Sequence, residues 1–220
     1  MRVGTDGVAL GALVQLPQRE CTVWDAGSGT GLLSLMLAQR FPAALFYAVE
    51  IDRDAADESR LSVARSPWSD RIHVVCRDVI DAASELPRPD VIVSNPPYFE
   101  GGERAPEAAR ALARHADAGS LGPETLIRLA SEVLAPDGEL WMITPADMES
   151  RLTFAATMAR LKVAAMVEIV PRPGKNVLRL VWRLTRSCVP TVRNRLLLRQ
   201  ADGSLSPEFA CLTKDYYLDD

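Results

Sequence analysis

The stretch Cys21-Thr22-Val23-Trp24-Asp25-Ala26-Gly27-Ser28-Gly29-Thr30-Gly31-Leu32-Leu33-Ser34-Leu35-Met36-Leu37-Ala38 decides the fold. Residues 21–24 are short and largely apolar and read as a buried strand, whereas residues 32–38 read as a helix. Between them lie three glycines in five residues. A strand, a tight loop and a helix form the repeating unit of open sheets covered on both faces. Glycines let the backbone approach a ligand closely, and the start of the helix leaves amide donors facing it. Counted from Gly27, the dinucleotide pattern Gly-x-Gly-x-x-Gly requires glycine at position 32, where Leu32 stands, so that fingerprint fails.

The alternation continues outward from this unit. Residues 45–49 read as a second strand with Glu50 at its C-terminal end, and residues 71–76 as a third, followed by Asp78 and Val79. A fourth strand, 90–94, delivers Asn95 at the end where open α/β sheets bind ligands. Residues 124–135 read as a helix closed by Pro136-Asp137-Gly138, 139–144 as a fifth strand, and 147–161 as another helix. Strands at 163–170 and 177–184 are joined by Pro171-Arg172-Pro173-Gly174-Lys175-Asn176, a link so short that the pair must be antiparallel. The expected fold is α/β: a Rossmann-like, doubly wound sheet of seven strands, mostly parallel, with an antiparallel pair near the C-terminus.

With 220 residues, 48% apolar and 25% charged, the chain suffices for one sizeable core, and residues 1–220 are expected to form a single domain. The net charge of −4 argues against a general nucleic-acid binder, but it conceals an asymmetry. Residues 1–150 hold 13 Lys and Arg against 23 Asp and Glu, whereas 151–220 hold 12 against 6. In that basic portion Arg172, Lys175, Arg179, Arg183, Arg186, Arg193 and Arg195 are candidates to meet phosphates; the competing reading has them on solvent faces near a sheet edge. No stretch has the roughly 18 uncharged apolar residues of a membrane span and the N-terminus lacks a leader pattern, so a cytoplasmic protein is expected. Cys21, Cys76, Cys188 and Cys211 match no zinc spacing, and neither a metal site nor a disulfide framework is expected. His73 reads as a core-edge residue of a strand. His115, beside Arg114 at the end of an alanine-rich helix, reads either as a substrate contact or as a charge at a helix end.

Asn95-Pro96-Pro97-Tyr98 begins 64 residues after Gly31. A nitrogen whose lone pair is delocalised into a ring or carbonyl needs acceptors for its hydrogens, which free the lone pair as charge develops in transfer. The Asn95 side-chain oxygen is one such acceptor, and the Pro96 carbonyl, stiffened by Pro97, is a second. Tyr98, with Phe99 beside it, presents a face on which a planar group can stack. The plainer reading is a proline-rich turn with Tyr98 on the surface.

Asp25-x-Gly27-x-Gly29-x-Gly31 resembles the first motif of class I S-adenosylmethionine-dependent methyltransferases. The resemblance implies that Asp25 lies near the methionine ammonium and that Gly27, Gly29 and Gly31 make room for the methionine portion and sugar. Glu50, at a strand end, is placed to accept both ribose hydroxyls. Asp78 is placed to accept from the adenine amine while Val79 packs on its ring, and Asn95 borders the donor as well as the acceptor. Asp52, Asp54, Asp57 and Glu58 read as a solvated helix start.

A narrower likeness runs nearly the whole length. From Val3-Gly4-Thr5-Asp6-Gly7-Val8-Ala9-Leu10-Gly11, through the glycine loop and the tetrapeptide, to Ser206-Pro207-Glu208-Phe209 and Asp215-Tyr216-Tyr217-Leu218, the chain resembles the bacterial tRNA (adenine-N6)-methyltransferases that modify position 37 of a valine tRNA. The tetrapeptide is shared by many amino-methylating enzymes; the two ends of the chain are the more specific signals. The resemblance implies S-adenosyl-L-methionine as cofactor, tRNA as partner, no metal, and Thr5, Asp6 and Gly7 against the donor. It implies in-line transfer to the N6 of an adenine swung out of its stack, with Asn95, Pro96 and Tyr98 catalytic. Pro97, Phe99, Arg114, His115, Arg172 and Lys175 are then expected at the RNA, and residues 100–118, rich in Gly, Ala, Arg and Glu, as a lid. Family members carry an aromatic-rich segment ahead of Val-Gly-Thr-Asp-Gly; the sequence here starts at Met1-Arg2, and if the protein lacks that segment a pocket more open on that side is expected. Three alternatives use parts of the same pattern: a protein-glutamine methyltransferase, a ribosomal-RNA guanine-N2 methyltransferase, and a non-catalytic module that binds donor or RNA.

Overall fold

The computed structural model describes residues 4–97 and 121–216; Tyr98, Phe99, Arg114, His115 and the expected lid 100–118 lie outside the described residues. Eight strands form one sheet: β1 Cys21–Ala26, β2 Ala44–Glu50, β3 Ile72–Cys76, β4 Val91–Ser94, β5 Glu139–Pro145, β6 Lys162–Val170, β7 Arg179–Thr185 and β8 Val192–Leu197. Their order is β3-β2-β1-β4-β5-β7-β6-β8. From β3 to β5 every pairing is parallel. The chain winds outward from β1 through β2 and β3, then returns to lay β4 and β5 on the other side of β1. The reversal between β1 and β4 opens the crevice in which such sheets take ligands.

Helices α1 Thr5–Leu13, α2 Leu32–Arg40, α3 Arg53–Ala64, α4 Val79–Ala82, α5 Pro123–Val133, α6 Glu149–Met158 and α7 Pro207–Thr213 complete the described elements, with a 3-10 turn at Ala146–Met148. Alternate strand residues feed two buried apolar layers. Val23, Val91, Val93, Trp141 and Ile143 join Leu10 of α1 and Leu37 of α2. Trp24, Ile92, Leu140 and Met142 join Leu126 of α5 and Leu152 of α6 on the other face. Burial on both faces explains why the central strands read as unbroken apolar runs.

Seven strands were expected and eight are present. β8 pairs in parallel with β6 at the sheet edge, and its first four residues, Val192 to Arg195, are exposed. Its charges replace the apolar run that marks an inner strand, and charged residues on an edge also discourage pairing with a second molecule. Arg193 and Arg195 both reach Glu168 on β6, so the strand is fixed by ion pairs across the ladder rather than by its own pattern. β6 and β7 are the expected antiparallel pair. No described helix is long and apolar enough to cross a membrane.

Candidate active site

The glycine loop leaves β1 at the sheet's C-terminal edge with Gly27, Gly29 and Gly31 at φ of 70°, 55° and 83°, values that residues with a Cβ seldom adopt. At Gly31 packing adds a second constraint, because a Cβ there would lie 2.5 Å from Ser59 Oγ on α3. Gly31→Ala is therefore expected to cost about 3 kcal/mol in urea denaturation, from backbone strain plus overpacking. Adding Ser59→Ala should recover the steric share and leave the backbone share.

Three of the four buried side-chain N or O atoms left without a hydrogen-bond partner among the described residues gather here: Asp25 Oδ1, Ser28 Oγ and Ser59 Oγ. Buried polar atoms are nearly always paired, so this concentration marks a place where a ligand completes the bonding. Asp25 is fully buried at the end of β1. Its Oδ2 accepts from the Ser34 amide at 3.0 Å and the Ser34 hydroxyl at 2.8 Å, near the start of α2. Burial pushes its carboxyl up to about 7, the Ser34 bonds pull the other way, and the charge of Glu50 adds to the rise. A cation brought to Oδ1 would favour the ionised form, as the ammonium of an amino-acid ligand would.

Glu50 ends β2 and is largely buried. Its Oε2 accepts from the Gly29 amide at 2.7 Å and its Oε1 from the Asp52 amide at 2.9 Å. Each carboxylate oxygen keeps a lone pair free for a further donor, while the two amide bonds shape the loop. Asp52 caps α3 by accepting from Ala55, in line with its reading as a helix start. Asp78, after β3, caps α4 by accepting from the Ile80 amide at 2.7 Å, while Val79 is buried beside Val49 and Ile92.

Asn95 leaves β4 next to the glycine loop. β1 and β4 are adjacent, with Asp25 opposite Val93, and the Ser94 hydroxyl donates to the Ala26 carbonyl at 2.6 Å. The residue before the tetrapeptide is thus bonded to the residue before the loop. Asn95 and Pro97 are exposed and Pro96 is buried.

Thr5, Asp6 and Gly7 open α1. Gly7 lies against Leu32, the first residue of α2, where an added Cβ would come within 3.1 Å of Leu32 Cδ2. The Asp6 carboxylate accepts from Arg179 Nε at 2.9 Å, and Arg179 begins β7. Of the cations considered for phosphate contact, Arg179, Arg183, Arg193 and Arg195 are held by carboxylates, and Arg186 donates to the Ser131, Leu134 and Ala135 carbonyls. Arg172 and Lys175 remain exposed on the β6–β7 turn.

Sequence reasoning missed Ser34, Ser94 and the pairing of Arg179, read there as a candidate phosphate contact, with Asp6. A serine early in the helix after an Asp-bearing loop is a usable signal for the first, since helix starts need acceptors; no local pattern marks the other two. Two open clefts, of about 520 and 410 Å3, lie at the opposite edge. The guanidinium of Arg71 in the first is already bonded to three carbonyls, and Arg183 in the second is paired with Glu139. Among the described residues, no group of three His, Cys, Asp or Glu is arranged to hold a metal.

The sequence profile of the methyltransferase small domain matches residues 9–168. A tRNA1(Val) (adenine(37)-N6)-methyltransferase of Porphyromonas gingivalis is 41% identical over 231 residues, spanning 99% of this chain and 89% of its own. One of the same name from Yersinia enterocolitica is 38% identical over 220 residues, spanning 99% and 86%. In structure, a predicted O-methyltransferase from Agrobacterium tumefaciens superposes with a TM-score of 0.75 at 24% identity, covering 96% of both chains. TrmN from Thermus thermophilus superposes at 0.61 with 21% identity, covering 82% of this chain and 48% of its own. At these identities the structural matches speak to the fold alone.

Proposed function

We infer, from the premise that the chain belongs to the methyltransferase small domain family and aligns along nearly its full length with tRNA1(Val) (adenine(37)-N6)-methyltransferases, that it is an S-adenosylmethionine-dependent methyltransferase acting on the exocyclic N6 of an adenine in tRNA. By the same kinship the target is position 37 of a valine tRNA. The observation that carries the reading is the Ser94–Ala26 bond, which ties the start of the tetrapeptide to the start of the glycine loop.

S-adenosylmethionine supplies an electrophilic methyl group. Asp25 Oδ1 would receive its ammonium and Glu50 its ribose hydroxyls. Asp78 and Val79 would meet the adenine, and Thr5, Asp6 and Gly7 would border the donor beside α2. Across the crevice the Asn95 oxygen and the Pro96 carbonyl hold the two hydrogens of the target amine, turning its lone pair towards the donor. An amide oxygen is too weak a base to remove the proton, so Asn95 aligns and stabilises while the proton leaves to solvent. Pro97 stiffens this acceptor pair, and the reading assigns stacking of the base to Tyr98 and substrate contact to Phe99, Arg114 and His115. The reading treats residues 1–220 as one cytoplasmic domain in which Arg172 and Lys175, from the basic portion that begins at about 151, face the RNA.

Incubation with labelled donor and tRNA lacking the modification, followed by digestion to nucleosides, should yield N6-methyladenosine. N2-methylguanosine as the product, or label entering protein instead, would replace this reading with one of the alternatives.

A further inference from the structure

We propose that Arg172, Lys175 and Arg199 form a phosphate-contacting surface that holds the RNA strand some distance from the reacting base. The inference rests on the tRNA reading above and adds which cations act and where.

The sheet register brings them to the catalytic edge. Arg179 at the start of β7 lies opposite Pro145 at the end of β5, so the β6–β7 turn emerges at the edge from which Asn95 leaves β4. β8 runs parallel to β6, with Leu197 opposite Val170, so the chain after β8 emerges there too. The two turns are bonded together: the Arg199 amide donates to the Pro171 carbonyl at 3.2 Å and the Leu198 amide to the Val170 carbonyl at 2.9 Å. Arg172, Lys175 and Arg199 are all exposed. The Arg199 guanidinium donates to the Gly203 carbonyl at 2.7 Å, which holds it in place without neutralising it. The carboxylate in that hairpin, Asp202, is turned onto the Ser204 amide and hydroxyl at 2.9 and 2.6 Å.

Neutralisation elsewhere sharpens the contrast. Among the described residues from 151 onward, Arg151, Arg179, Arg183, Arg193 and Arg195 are paired with carboxylates. Arg160 and Lys162 sit where β6 begins, at the opposite edge, with Lys162 opposite Thr185. Lys214 follows α7 and lies on neither of the two turns. Among the described residues from 151 onward, the cations left without an acidic partner on the turns at the catalytic edge are therefore Arg172, Lys175 and Arg199, on two joined turns.

In the order β4-β5-β7-β6-β8, β6 is three strands and β8 four strands from β4. At ~4.8 Å per strand this places the cations roughly 14–19 Å along the edge from the strand that presents Asn95. That is about four to six stacked nucleotides at ~3.4 Å each. These contacts grip the arm that carries the target adenine, so they govern tRNA affinity and leave the chemical step alone.

The test is steady-state methylation of tRNA by Arg172→Gln/Lys175→Gln/Arg199→Gln beside a control, Arg160→Gln/Lys162→Gln, with donor calorimetry on both. The triple variant should raise the KM for tRNA about tenfold or more and change kcat by less than about twofold. Its log-affinity against log-salt slope should become shallower by about 2, as for three lost phosphate contacts on a single strand, while donor affinity and the control stay at wild-type values. Unchanged KM and salt slope in the triple variant, or an equal loss in the control, overturns the inference. Absence of any methyl transfer to tRNA by the wild-type protein instead overturns the reading beneath it.

Discussion

Asn95→Ala is expected to reduce methyl transfer by about 10²–10³-fold while leaving donor binding unchanged, because it removes a preorganised acceptor aimed at charge that develops only during transfer. Asn95 is exposed at the end of β4, so its loss opens no core cavity. The neighbouring Ser94–Ala26 bond, which sets the spacing of the two strand ends, is untouched. Single-turnover assays with saturating donor and tRNA, together with calorimetry of the donor, measure the two quantities separately. Asn95→Asp gives a second reading: it keeps an acceptor but adds a negative charge near the donor. Full activity in the alanine variant would remove Asn95 from the chemistry.

The second large effect is a pH dependence of donor binding set by Asp25. Burial raises its carboxyl from an ordinary carboxylate value to about 7. A cationic ammonium prefers the ionised form, so donor affinity should fall about tenfold for each pH unit below about 7 and level off above it. In the ligand-free protein the sign is reversed. The folded state holds this proton more tightly than the unfolded chain, so the contribution to stability is greatest below about pH 4 and is lost as pH rises to about 7. Asp25→Asn keeps an acceptor for the Ser34 amide and hydroxyl but cannot ionise. It should weaken donor binding at pH 8 and flatten both profiles. Calorimetry between pH 5.5 and 8.5 and thermal melts between pH 4 and 8 test the pair; a pH-independent wild-type affinity would place the ammonium elsewhere.

The parts of this architecture that were legible from residues are those fixed by local rules. Strands such as Val91–Ser94 and Ala44–Glu50 are apolar because both faces are covered, and Gly27, Gly29 and Gly31 are required by positive φ. Glu50 and Asn95 could be placed because residues at strand ends in such sheets face the ligand crevice. What was hidden depends on partners distant in sequence. β8 carries no apolar run that marks a strand, and only the structure shows Glu168 on β6 holding Arg193 and Arg195. Helix α1 was not anticipated, because Gly7 to Ala12 are all buried and no polar face marks its period. Nor does the charge excess after residue 150 reveal that Arg179 is engaged by Asp6, 173 positions away.

The hydroxyl of Ser94 also fixes a gauge. With the ends of β1 and β4 bonded to each other at 2.6 Å, the crevice cannot be widened by letting these strands splay apart. A sulfonium analogue with a bulkier transferable chain, such as propargyl in place of methyl, would therefore have to find its room in the segments beyond Asn95. Engineering towards such analogues should begin with those segments and leave the serine alone.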